Sequence, residues 1–203
     1  MVLVRGGWSD LEPQIVIALH RWAVAQPIRS FLVVMLAEGG VFLLPLVLGA
    51  LWFRPRSDRS SRRQALLAGA ISFALALVLV AALSHAVQRP RPFVVLGFQP
   101  LFGHGADSSF PSDHTLLGMA LVGPLLWLRP RLGVWLALWA ACVGLARVAC
   151  GVHFPSDVVA SALLAAAPTA VGLLGASFLT DRFDLIRRLA GIDRAPDADS
   201  GRQ

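Results

Sequence analysis

Three short clusters hold the residue types from which chemistry could be built. In Arg89-Pro90-Arg91-Pro92-Phe93, two guanidinium groups alternate with prolines. Proline cannot continue a helix and drives the residue before it out of the α region, so this cluster should end a helix and hold both arginines beside that end. A guanidinium fork fits the oxygens of a phosphate group, although the same arginines could do no more than snorkel at a helix terminus. In Ser109-Phe110-Pro111-Ser112-Asp113-His114-Thr115, Ser112 stands where an N-cap would. The amides after it would point outward from a helix start, an anion-binding arrangement, with His114 in the first turn. A capped helix with an incidental histidine fits that stretch equally. The third cluster runs from Arg147 through Cys150, Gly151 and His153 to Pro155, Ser156 and Asp157. On a straight helix Arg147 and His153 would lie about 120° out of phase. Gly151 and Pro155 allow the helix to end and the chain to turn, so that Arg147, His153 and Asp157 can face one pocket. A histidine with a carboxylate four positions on is a pairing that fixes an imidazole tautomer and supports its charged form, although an ordinary polar turn would read similarly.

Forked cations, a helix N-terminus, two histidines and a carboxylate together suit a phosphate group, provided that the clusters meet. The elements that must bring them together are apolar. The chain is 56% hydrophobic and 15% charged, with a mean hydropathy of +0.67, so bilayer rather than water is the expected solvent for most of it. The net charge is +6, and all 18 basic residues are arginine. Most of them fall in short breaks between apolar runs, where they anchor and orient helices, and this argues against nucleic acid as a partner. Cys142 and Cys150 lie in one apolar run, roughly 12 Å apart along a helix, too far to bridge each other.

Runs long enough to span a bilayer, or nearly so, extend over Ile28 to Phe53, Gln64 to Val87, His114 to Leu128, Leu132 to Val152 and Ser156 to Thr180. The expected fold is therefore an all-α integral membrane bundle of about five spans, the third of them short. Leu11 to Ala25 is shorter and carries Glu12, His20 and Arg21, which predicts an amphipathic helix lying in the interface, with a sixth span as the alternative. Ala23-Val24-Ala25 has the small residues of a signal-peptide cleavage site, but those same polar residues interrupt the apolar segment before it. The chain divides into an N-terminal segment over residues 1–27, a membrane domain over 28–180 and a charged tail over 181–203. Arg54, Arg56, Arg59, Arg62 and Arg63 against Asp58 alone place the first inter-span loop in the cytoplasm. By alternation, Arg129 and Arg131 and then Arg182, Arg187 and Arg188 also come out cytoplasmic. All three chemical clusters fall on the opposite face.

The order Arg91-Pro92, then Pro111-Ser112-Asp113-His114, then Arg147 with His153 and Asp157 resembles the phosphatidic acid phosphatase type 2 superfamily of lipid phosphatases and haloperoxidases. Ala106 to Thr115 and Gly151 to Val158 look more narrowly like the bacitracin-resistance undecaprenyl-diphosphatases of bacteria. The resemblance spans Ile28 to Thr180. It implies that His153 is the nucleophile, with Asp157 holding its ring, and that His114 protonates the leaving group and then activates water. Arg91, Ser112 and Arg147, joined by Asp113 and Arg89, would bind substrate, with no metal or other cofactor. The implied substrate is a polyprenyl or glycerolipid phosphate drawn from the surrounding membrane lipid, undecaprenyl diphosphate first. The implied setting is the plasma membrane, with the active site on its extracytoplasmic face.

The sequence departs from that pattern at three places. Ser84 stands where the superfamily usually has lysine, and Arg89 could supply that charge. Ala146 replaces a serine, and Asp113 replaces a glycine, as in the undecaprenyl-diphosphatase type. At His114, a helix N-terminus opposes protonation and a bound phosphate dianion favours it; the acid role requires the second to win, so activity should fall at high pH. Glu38, an ionisable group within a span, is expected either to pair with span two near Ser84 or to help bind substrate.

Overall fold

The computed structural model describes residues 11–53 and 59–189, and every regular element among them is helical. In chain order they are α1 (Leu11–Val24), α2 (Pro27–Val34), α3 (Leu43–Phe53), α4 (Arg59–Ala86), α5 (Pro92–Leu96), α6 (Asp113–Leu128), α7 (Pro130–Ala149), α8 (Pro155–Leu164) and α9 (Ala166–Leu189). Among the described residues, four stretches are long and apolar enough to cross a membrane: Pro27–Leu51, Gln64–Ala86, Pro130–Ala149 and Pro155–Phe183; Asp113–Leu128 is a shorter apolar helix. The five expected runs, including the short third one, all form helices. The expected cytoplasmic charges at Arg54, Arg56 and Asp58, and the tail beyond Leu189, lie outside the described residues.

Two runs are not continuous. Pro168 has no N–H to bond the carbonyl of Leu164, and the fifth run breaks at Ala165 into α8 and α9. The first run passes from α2 through a π-turn over Met35–Gly39 and a 3₁₀ turn over Gly40–Phe42 before α3. Adjacent Gly39 and Gly40 weaken the α ladder there, and Gly40 lets α7 approach closely: a Cβ on it would meet Val143 Cγ2 at 2.8 Å. The Gly40 carbonyl is satisfied by Trp139 Nε1 at 2.7 Å.

α6 is the central helix, packed against α4, α7, α8 and α9, while α4 packs against α6 and α9. The contact face of α4 is small: Ala65, Ala68, Ser72 and Ala76 recur at three- and four-residue spacing and are all buried. Ser72 returns its hydroxyl to the Ala68 carbonyl at 2.7 Å, so no polar group is stranded between the helices. Gly172 of α9 lies on this face, where a Cβ would run into Ser72 and the Ala68 backbone. Gly172→Leu is therefore expected to force the helices apart and cost about 1–3 kcal/mol, read as a lowered unfolding temperature in detergent; an unchanged temperature would contradict this packing. Large apolar side chains such as Phe42, Leu46, Val78, Leu163 and Leu174 point outward instead, as in a bundle solvated by lipid.

α1 closes one end of the bundle. Val16 packs with Val148 and Phe154, and Ala23 with Ala149 and Cys150, while Leu11, Ile15, Trp22 and Val24 stay exposed. At 14 residues it is about 21 Å long, short for a span. Glu12, whose charge predicted a surface helix, is in fact buried and points into the protein.

Candidate active site

The end of α7 sets the geometry. Gly151 adopts φ +82° and is followed by two reversed hydrogen bonds, Gly151 N–H to the Val148 carbonyl at 2.9 Å and Val152 N–H to the Arg147 carbonyl at 3.2 Å. This is a Schellman turn, which only an unbranched backbone enters cheaply, and here a Cβ would also strike the Phe98 ring. Pro155 then starts α8 at its first position. Arg147 and His153 thus escape the helical phase difference and become neighbours of one site, each only 1% exposed.

The segment after α4 docks on this turn through backbone bonds from Phe93 N–H to the Gly151 carbonyl, 3.1 Å, and from Leu101 N–H to the Cys150 carbonyl, 3.2 Å. Arg91 is buried against it, with Nη1 donating to the Val152 carbonyl at 2.9 Å and Nε to Asp107 Oδ1 at 3.0 Å. Partial burial would raise the Asp107 carboxyl, but the hydrogen bond and charge of Arg91 outweigh it and hold the group below the usual range. The three clusters therefore meet at one end of the bundle.

His153 Nδ1 lies 2.7 Å from the Ser109 carbonyl. A carbonyl only accepts, so Nδ1 carries the proton and Nε2 presents its lone pair. Burial and then the Arg147 charge push the imidazole down to about 3, so the ring stays neutral at physiological pH. Here the structure corrects an expectation: the ring is held by Ser109, not by Asp157. Asp157 sits at the third position of α8 and turns back on the helix start, where Oδ2 accepts the Phe154 N–H at 2.8 Å and Oδ1 pairs with Arg89.

Arg147 is held from several directions. Nη1 meets Glu38 Oε1 at 2.6 Å, and Nη2 meets His104 Nε2 at 3.1 Å. His104 donates from Nδ1 to the Gly105 carbonyl, leaving Nε2 as an acceptor; burial and the charges of Arg91 and Arg147 keep its pKa low. Glu38 thus belongs to the site rather than to span two, and Ser84 instead bonds the Val80 carbonyl at 2.6 Å. The π-turn places Glu38 there by interrupting the helical phase. Arg147 Nε and His153 Nε2 are both buried without a hydrogen-bond partner, an exception among buried polar atoms.

Ser112 occupies the N-cap position of α6 without capping it: its hydroxyl pairs with Thr115 Oγ1 at 3.0 Å and its N–H donates to Ser161 Oγ at 2.8 Å. His114 follows in the first turn, Nδ1 donating to Asp113 Oδ1 at 3.0 Å. That same oxygen lies 3.9 Å from Arg147 Nη2 and 3.8 Å from His153 Nε2.

Arg89 departs from its expected role. Nη2 meets Glu12 Oε2 at 2.9 Å, Nη1 meets Asp157 and Ser156 Oγ, and the guanidinium stacks over Phe154 at 4.3 Å. Glu12 Oε1 also accepts the Ser156 N–H at 2.8 Å. Arg89 is thus a partly buried tie between α1 and the start of α8. Glu12, His104 and the Ser109 carbonyl were not marked by the sequence as site groups. Ser109 opens the second cluster and His104 stands shortly before it, and that closeness was the only pointer to them. Among the described residues, no group of three or more His, Cys, Asp or Glu side chains is arranged to hold a metal ion.

The family model described as PAP2 superfamily matches residues 65–179. The chain is 30% identical over 148 residues to undecaprenyl-diphosphatase BcrC of Bacillus subtilis, covering 73% of this chain and 75% of that protein. It is 34% identical over 149 residues to the bacitracin transport permease protein BcrC of Bacillus licheniformis, covering 72% and 68%. The crystal structure of Aquifex aeolicus LpxE shares the fold at a TM-score of 0.64 and 24% identity, covering 85% of this chain and 99% of that one. The matched residues contain Arg91, His114, Arg147 and His153, the groups that meet at the end of the bundle, and the chain belongs to the PAP2 superfamily.

Proposed function

We propose that this protein hydrolyses undecaprenyl diphosphate to undecaprenyl phosphate and phosphate through a phosphohistidine. The observation that carries this reading is the pair of buried, unpartnered atoms, Arg147 Nε and His153 Nε2: a donor and a lone pair in one site suit a phosphoryl group. Nε2 attacks the terminal phosphorus, forming an N–P bond as the bond to the bridging oxygen breaks. His114 gives that oxygen its proton, so that the lipid monophosphate departs. A water then attacks the phosphohistidine, His114 takes the water's proton, and the N–P bond breaks to release phosphate. Arg147 stabilises the charge that spreads over the equatorial oxygens, and Arg91 braces the turn that carries His153.

A lipid substrate is favoured by a cavity of about 340 Å³ that runs from Asp113 and His114 along Phe42, Pro45, Phe73 and Leu121, a mainly apolar channel meeting the polar site. The charge bias of the loops favours the extracytoplasmic face. The name of the Bacillus licheniformis relative refers to transport, but here the polar groups gather at one end of the bundle and not at the middle of broken spans, which favours hydrolysis. Phosphatidylglycerol phosphate and phosphatidic acid are the alternative substrates. The test is phosphate release by the purified protein in detergent with a chelator present, comparing the three lipids. Release that survives chelation and is fastest from undecaprenyl diphosphate is expected. A preference for a glycerolipid would replace the substrate, and a strict requirement for a metal would remove the mechanism.

A further inference from the structure

Asp113 Oδ1 is surrounded as an oxyanion would be. It accepts the His114 backbone N–H at 2.8 Å and His114 Nδ1 at 3.0 Å, and it faces His153 Nε2 at 3.8 Å and Arg147 Nη2 at 3.9 Å. Two of these neighbours are nine-tenths buried or more, and each carries an unpartnered nitrogen. A phosphoryl group held by this site needs the same helix terminus, imidazoles and guanidinium. The Asp113 side chain is about half exposed, with room to turn aside. The expectation that Asp113 binds substrate runs against its charge, because a carboxylate among these donors competes with phosphate and repels it.

We propose that Asp113 is a built-in counter-anion: its carboxylate stands where a phosphoryl oxygen binds, holds the cationic site together, and weakens the grip of the site on inorganic phosphate. This rests on the phosphate-binding reading above. Its benefit is product release. Arg147, the helix terminus and a protonated His114 would otherwise retain a phosphate dianion, whereas a carboxylate that swings back displaces it.

The test is inorganic phosphate itself, used on the full-length protein in detergent. Its binding and its inhibition of lipid phosphate turnover are measured for wild type, Asp113→Asn, Asp113→Ala and Asp113→Glu. Removing the charge in Asn or Ala is expected to tighten phosphate binding at least tenfold, with Asp113→Glu remaining close to wild type. Two neutral variants guard against one that fails to fold. Equal or weaker phosphate binding by a folded neutral variant, with wild type active, overturns the proposal while leaving the hydrolase reading intact. A wild type that neither hydrolyses lipid phosphates nor binds phosphate overturns both.

Discussion

His153→Ala is expected to reduce phosphate release by about 10⁴-fold or more, the scale on which removing a covalent nucleophile acts. The ring is buried, its proton is fixed on Nδ1 by the Ser109 carbonyl, and the opposite nitrogen is left without a partner. Two other histidines lie at the site: His104 Nε2 is taken by Arg147, and His114, bonded through Nδ1 to Asp113, is the more exposed ring and serves the leaving group in the proposed mechanism. Since burial holds the His153 ring neutral down to about pH 3, its nucleophilicity does not titrate between pH 5 and 8, and pH dependence in that range must come from other groups or from the substrate. Alanine also leaves the Ser109 carbonyl without its donor, at about 1–3 kcal/mol. His153→Gln restores a donor there, so it should recover stability without recovering turnover. The measurement is phosphate release beside thermal unfolding, with radiolabelled substrate used to trap an acid-labile phosphoryl group on wild type alone. Residual activity within tenfold of wild type in either variant would exclude His153 as the nucleophile.

Arg89→Leu is the second large effect, and it falls on stability. One guanidinium joins Glu12 of α1 to Asp157 of α8, and the side chains of these partners are only 10% and 0% exposed. Its removal strands two buried carboxylates, and breaking a buried ion pair from one side costs about 3–5 kcal/mol. Unfolding in detergent should shift to lower temperature, and α1 should become more accessible to protease. The double variant Arg89→Leu with Glu12→Gln should recover part of the loss, because one stranded charge is gone. If Arg89 instead bound phosphate directly, the single variant would raise KM at unchanged unfolding temperature. The clamp draws on Glu12 of α1, which lies outside the matched family residues 65–179.

The site was partly legible for physical reasons that can be stated residue by residue. Arg147 and His153 could be brought together on paper because Gly151 and Pro155 act locally, through a positive φ and a missing N–H. The same local logic ended α4 at the Arg89 to Pro92 cluster and started α6 at Ser112. It failed where two acceptors were available. Asp157 lies four positions after His153, a spacing that suggests an imidazole–carboxylate pair, but its place in the first turn of α8 points it at the Phe154 N–H and at Arg89. The Ser109 carbonyl, 44 residues away in sequence from His153, took the ring instead. Glu38 was visible as an unusual charge in a span, yet its partner Arg147 lies 109 positions away and meets it only because a π-turn shifts the helical phase.

By itself, the sequence determined the solvent of the chain, the apolar runs, their ends and the order of three phosphate-suited clusters, because hydropathy, proline, glycine and charge bias act within a few residues of where they are written. Only the tertiary structure decided which acceptor each donor received: Ser109 for His153, Glu38 and His104 for Arg147, and Glu12 with Asp157 for Arg89. Those choices depend on which helices pack side by side, and burial forces every charged group to find a partner among whatever that packing brings within reach.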